Sequence, residues 1–130
     1  MSSLACGHRI ISVANLDEAK NLVNVSSSQG PTRDGRFKPD IAAPGTDIVA
    51  AKGFGGSSQP WIPMTGTSMA SPYVCGVAAK MLAYNPSLTA AQILGILHHT
   101  AKPIDPADPS WSDQAGFGAI DPTAAVNEVK

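Results

Sequence analysis

The run Gly66-Thr67-Ser68-Met69-Ala70-Ser71-Pro72 joins a short apolar stretch to a long segment of small and apolar residues. A serine at such a strand-to-helix switch is placed for nucleophilic chemistry. The first N–H groups of a helix have no partner within it and carry partial positive charge, which suits a developing oxyanion. Gly66 allows a close approach without side-chain obstruction. Pro72 has no N–H, so the Ser68 carbonyl loses its usual helical partner. Taken alone, Thr67-Ser68 also reads as an ordinary N-cap on a buried helix. A third reading is a small anion-binding module on the same helix start.

The other chemistry-bearing residues are scattered. His8 is the only histidine ahead of Ser68, and His98-His99 close a later helix, where cations favour the C-terminal dipole. Asp17, Asp34, Asp40 and Asp47 fall in turns or at strand starts, where Asp commonly bonds its own backbone. None forms a readable triad with a histidine. Gly53-Phe54-Gly55-Gly56 lacks the Lys-Ser/Thr of a phosphate-binding loop and reads as a flexible loop. Cys6 and Cys75 have neither CxxC nor Cys/His ligand spacing and read as two unpaired thiols, with a disulfide or redox role as the alternative.

Short strands and three helices must position these residues. Ile10–Ala14 is apolar and β-branched enough for a buried strand, and Leu22–Ser28 alternates more weakly. Asp40–Ala43, Thr46–Ala51 and Trp61–Met64 complete the strand expectations, with a loop over Gly53–Pro60. Ser68–Ala83 carries one charge, Lys80, and is apolar or small on every side, the pattern of a helix buried all round. Thr89 with Gln92 three residues on predicts a capped helix to Thr100, with Leu88 and Ile93 as a hydrophobic staple. Asp121-Pro122 opens a terminal helix to about Val129.

At 130 residues the chain fits one domain. Its hydrophobic fraction of 43% supports a core, and 19 alanines suit helices that pack closely. Charged residues reach only 15%, against about 25% in a typical soluble domain, which suggests a piece of something larger. A net charge of −1 without a basic run leaves no nucleic-acid footprint. No apolar stretch approaches the ~18 residues of a membrane span. Met1–Ala5 has neither the charged head nor the apolar block of a signal peptide, and the compartment is not legible.

The longer string resembles a known family. Gly66-Thr67-Ser68, Ala70, Pro72, Cys75 and Gly76 are similar, position for position, to the active-site serine motif of the subtilisin-like serine peptidases. Lys38-Pro39-Asp40-Ile41-Ala42-Ala43-Pro44-Gly45 resembles the segment these enzymes carry upstream of the serine. Gly116-Phe117-Gly118-Ala119-Ile120-Asp121 resembles the stretch before their last helix. Tyr73 departs from the histidine many members carry there, at a position outside the triad.

The resemblance implies an α/β fold, the C-terminal portion of a mostly parallel sheet flanked by helices, with residues 1–130 as a partial peptidase domain. It implies peptide-bond hydrolysis through an acyl-enzyme on Ser68, whose backbone N–H supplies half of the oxyanion hole. Thr65 and Met69 then line the leaving-group side of a cleft for a peptide or protein substrate. Family triads of this type run Asp, His, Ser along the chain, and the Asp and His motifs are absent here. The asparagine of the oxyanion hole resembles a residue upstream of position 1. An isolated chain is therefore expected to be inactive. The family often binds calcium and is frequently secreted, but the scattered carboxylates nominate no calcium site. The alternative is a non-catalytic association module, as a homo-oligomer or paired with a missing N-terminal part.

Overall fold

A computed structural model describes residues 4–54 and 58–130. After a 3-10 turn at Leu4–Cys6, the strands are β1 (Val13–Asp17), β2 (Leu22–Val23), β3 (Ile41–Pro44), β4 (Ile48–Ala51) and β5 (Trp61–Met64). The helices α1 (Thr67–Tyr84), α2 (Ala90–Thr100) and α3 (Pro122–Asn127) follow. The fold is α/β.

The sheet is built around β1 and β3, parallel with Val13 opposite Ile41 and Leu16 opposite Pro44. β2 adds two antiparallel pairs to the end of β1, in the order β2-β1-β3. All four residues of β3 are buried, as expected of a parallel strand covered on both faces. Ile41 and Ala43 face a core that also contains Ala70, Val74, Val77 and Met81 of α1, Ile93 and Leu97 of α2, and Ala125 and Val126 of α3. Ala42 faces the other way, with Ala14, Leu16 and Ala115. Along the edge of β3 the extended chain pairs in the plane of the sheet: Gly118 O accepts from Ala42 N and Ala42 O from Ile120 N, both at 2.8 Å. Parallel pairing within the described residues is thus limited to β1–β3 and one bridge, Ala42 to Ala119. The remaining pair, β4–β5, is an antiparallel hairpin.

Three expectations need correction. The first strand begins at Val13, not Ile10, because side chains take the polar backbone ahead of it. Ser12 N donates to Asp40 Oδ2 (2.6 Å), and Ile10 O accepts from Lys38 Nζ (2.8 Å). The second strand ends at Val23, because Asn24 folds the chain into a turn with its Oδ1 accepting from Ser26 N (3.0 Å), leaving Val25 exposed. The long helix is buried along one stripe only, Ala70, Val74, Val77 and Met81. Its remaining flanks, including Tyr73, Cys75, Gly76, Ala79 and Leu82, are exposed, because the described elements cover just the stripe facing β1, β3 and α3.

The other two helices start as their sequences dictate. Thr89 Oγ1 accepts from Gln92 N and Gln92 Oε1 from Thr89 N, a complete capping box. Asp121 Oδ1 accepts from Thr123 N and Ala124 N ahead of α3. Cys6 and Cys75 are unpaired thiols. The loop expectation at Gly53–Pro60 lies partly outside the described residues, and Met1–Ser3 lie wholly outside them.

Candidate active site

The carboxyl ends of β1 and β3 converge on the start of α1. β3 ends at Pro44 and Gly45 follows it; the chain then runs out and back through the β4–β5 hairpin and re-enters at Thr65-Gly66. Gly66 N donates to Gly45 O at 2.8 Å, which fixes the turn to the end of β3. Gly66 has φ 157° and ψ 165°, a region essentially confined to glycine, so no side chain replaces it without strain. Its carbonyl accepts from Met69 N (3.0 Å) and Ala70 N (3.4 Å), closing the first turn of α1. Sites in α/β sheets lie at this strand end.

Ser68 is the second residue of α1 and is exposed, and its Oγ has no hydrogen-bond partner among the described residues. No side chain caps the helix, so the N–H groups at its start remain available to an anionic group. The three residues expected at the site share this turn. Thr65 is exposed and Met69 half-buried. Thr65 Oγ1 accepts from Asp47 N at 2.9 Å and donates to Asp47 Oδ1 at 3.3 Å, a link across 18 residues that the sequence did not suggest.

No described histidine reaches Ser68. His8 lines a groove with Ala78, which lies ten residues and ~15 Å along α1 from Ser68. His98 sits at the other end of β3: its Nε2 is 3.6 Å from Asp40 Oδ1, and its ring stacks on Phe117 at 4.1 Å. Asp40 Oδ2 meanwhile accepts from Lys38 Nζ (2.5 Å) and Ser12 N (2.6 Å). Burial raises the Asp40 pKa, but His98, Lys38 and the Ser12 N–H together outweigh it and hold the carboxyl below its ordinary range. This aspartate–histidine pair is a structural anchor. From Asp40 to Gly45 the chain advances ~16 Å, so the pair lies too far from Ser68 to form its triad.

Among the described residues, no group of three or more His, Cys, Asp or Glu side chains is gathered to hold a metal. No described helix is long and apolar enough to cross a membrane.

The Subtilase family matches residues 3–118. The chain belongs to the subtilase family. Among curated relatives of this subtilase chain, subtilisin-like protease SBT4.14 of Arabidopsis thaliana is 39% identical over 113 residues, covering 78% of the chain and 15% of that protein. Serine protease AprX of Bacillus subtilis is 32% identical over 143 aligned positions, covering 97% of the chain and 31% of AprX. The subtilase chain thus spans less than a third of either relative. Among solved structures, fervidolysin of Fervidobacterium pennivorans, a keratinolytic enzyme related to subtilisin, superposes with a TM-score of 0.77 at 27% identity. That match covers 96% of this chain and 20% of fervidolysin. The CspB protease of Clostridium perfringens shares the fold with a TM-score of 0.85 at 24% identity, over 98% of this chain and 28% of CspB.

Proposed function

We propose that this chain is the nucleophile-bearing, C-terminal part of a subtilisin-like serine endopeptidase. The observation that carries the reading is Ser68, exposed at the uncapped start of α1 within the family's serine motif. Ser68 Oγ attacks the peptide carbonyl carbon and forms the C–O bond of the tetrahedral intermediate, its proton passing to a histidine. The Ser68 N–H donates to the oxyanion, and Thr65 and Met69 border the leaving group. Collapse breaks the C–N bond as the histidine protonates the amine, and water then hydrolyses the acyl-enzyme with the same proton relay.

The histidine of that relay and its aspartate come from outside the described residues, since His8 and His98 are remote from Ser68. Losing the triad histidine costs about 10⁶ in kcat, a magnitude that comes from subtilisin itself. The 130-residue chain alone is therefore inactive, while the complete protein carrying it cleaves peptides. Peptide turnover by the complete protein, lost in Ser68→Ala, supports the reading. Turnover that survives Ser68→Ala overturns it.

A second reading concerns the chain by itself. The exposed flank of α1 has Tyr73, Gly76, Ala79, Leu82 and Ala83 and only Lys80 as a charge. Beside it, Ile10, Ile11, Ala78, Ile93 and Leu94 line an apolar groove of about 550 Å³. Burying ~500 Å² of such surface gains roughly 12 kcal/mol at ~25 cal/mol per Å². The association cost is about 4–15 kcal/mol. On this second reading the isolated chain is an association module that self-associates or pairs with an N-terminal part. Light scattering giving a mass above 13.3 kDa supports self-association, and 13.3 kDa at every concentration, with a cooperative melt, removes it.

A further inference from the structure

Asn15 lies in the middle of β1 between Ala14 and Leu16 and is 0% exposed. Its Oδ1 accepts from Thr46 Oγ1 at 3.1 Å, and Thr46 Oγ1 accepts from Asn24 Nδ2 at 3.0 Å. Its Nδ2 has no partner among the described residues. Turning the amide over would only exchange which atom is left unpaired. An alanine would occupy this strand interior without an unmet polar group. The amide instead shapes the seat of Gly45. A side-chain carbon on Gly45 would fall 2.6 Å from Asn15 Oδ1, 2.8 Å from Gly66 O and 2.9 Å from Ala70 Cβ. Gly45 is thus clasped between Asn15 and the start of α1, while its carbonyl holds Gly66 N.

We infer that Asn15 is a positioning residue for Ser68. Through Thr46 and Gly45 it fixes the height of the Gly66–Ser68 turn against β1 and β3, and so the direction of the Ser68 N–H. It acts without touching substrate, and the inference rests on reading Ser68 as the nucleophile.

The test uses Asn15→Ala and, as an independent break in the same link, Thr46→Val. Amide hydrogen exchange in the 130-residue chain is the first readout. The Gly66 amide is expected to exchange roughly tenfold faster, while the Leu97 and Ala125 amides and the melting temperature stay level or improve. The second readout is the rate at which a fluorophosphonate labels Ser68 in the complete protein, normalised to folded protein; it is expected to fall in both variants. Unchanged Gly66 exchange overturns the inference, as does acceleration of all amides together with a lower melting temperature, the mark of a merely structural residue. Unchanged labelling with faster Gly66 exchange also overturns it, since the turn would then move without consequence for Ser68. If the wild-type protein is not labelled at all, the nucleophile reading fails, and the exchange data still decide whether Asn15 seats the turn.

Discussion

Replacing Asp40 by Asn should be among the most damaging single changes in this chain. The Asp40 side chain is 5% exposed and its partner Lys38 is 8% exposed. Lys38 Nζ also donates to Ile10 O, so the pair ties the segment before β1 to the start of β3. Removing one member of a buried pair leaves the other charge uncompensated, at a cost of about 3–5 kcal/mol. A domain of this size is stable by about 5–15 kcal/mol in total. At roughly 4 °C per kcal/mol, the melting temperature should fall by ~12–20 °C. Lys38→Met should behave similarly, whereas the double replacement Lys38→Met with Asp40→Leu should be milder than either, because no buried charge remains. The pH dependence has a definite sign. Asp40 titrates below its unfolded value in the folded chain, so its contribution is present above about pH 4 and is lost as pH falls through the folded pKa. Thermal melts monitored by circular dichroism from pH 7 to pH 3 provide the assay. An Asp40→Asn melt within ~3 °C of wild type at pH 7 would refute the reasoning.

Gly45→Ala should destabilise the chain by about 1–3 kcal/mol, since the new methyl meets Asn15 Oδ1, Gly66 O and Ala70 Cβ within 3 Å. Chemical denaturation is the check, and a change below ~0.5 kcal/mol would mean the turn has slack that the structure does not show. Thr89→Ala removes one side of the capping box on α2 and should cost about 1 kcal/mol by the same measurement.

The parts legible in the sequence are those governed by neighbours along the chain. Thr89 and Gln92 stand three residues apart and announce their helix, Asp121-Pro122 does the same, and Trp61–Met64 is observed with the expected bounds. The strand-to-helix switch at Gly66–Ser68 is equally local. What escaped depends on distant partners. Asp40 and His98 are 58 positions apart, and nothing near either residue marks the other as its partner. Ile10–Ala14 looked like a strand by composition, yet the backbone of Ile10 and Ser12 is claimed by Lys38 and Asp40. α1 was expected to be buried all round from its residues alone, but burial belongs to the surroundings, and only one of its stripes is covered. Asn15 falls just past the expected strand Ile10–Ala14 and inside the observed one, and its connection to Gly45 and Thr46 exists only in three dimensions.

The central claim is that Ser68 is the acylated residue, and the most direct measurement is the site of a covalent adduct. The complete protein carrying this chain is treated with a fluorophosphonate, digested and mapped by mass spectrometry. The adduct should lie on Ser68 alone and vanish in Ser68→Ala, because the Ser68 Oγ is exposed beside the free N–H groups that open α1. An adduct on Ser71 instead, or folded protein that takes up no phosphonate, would contradict the account.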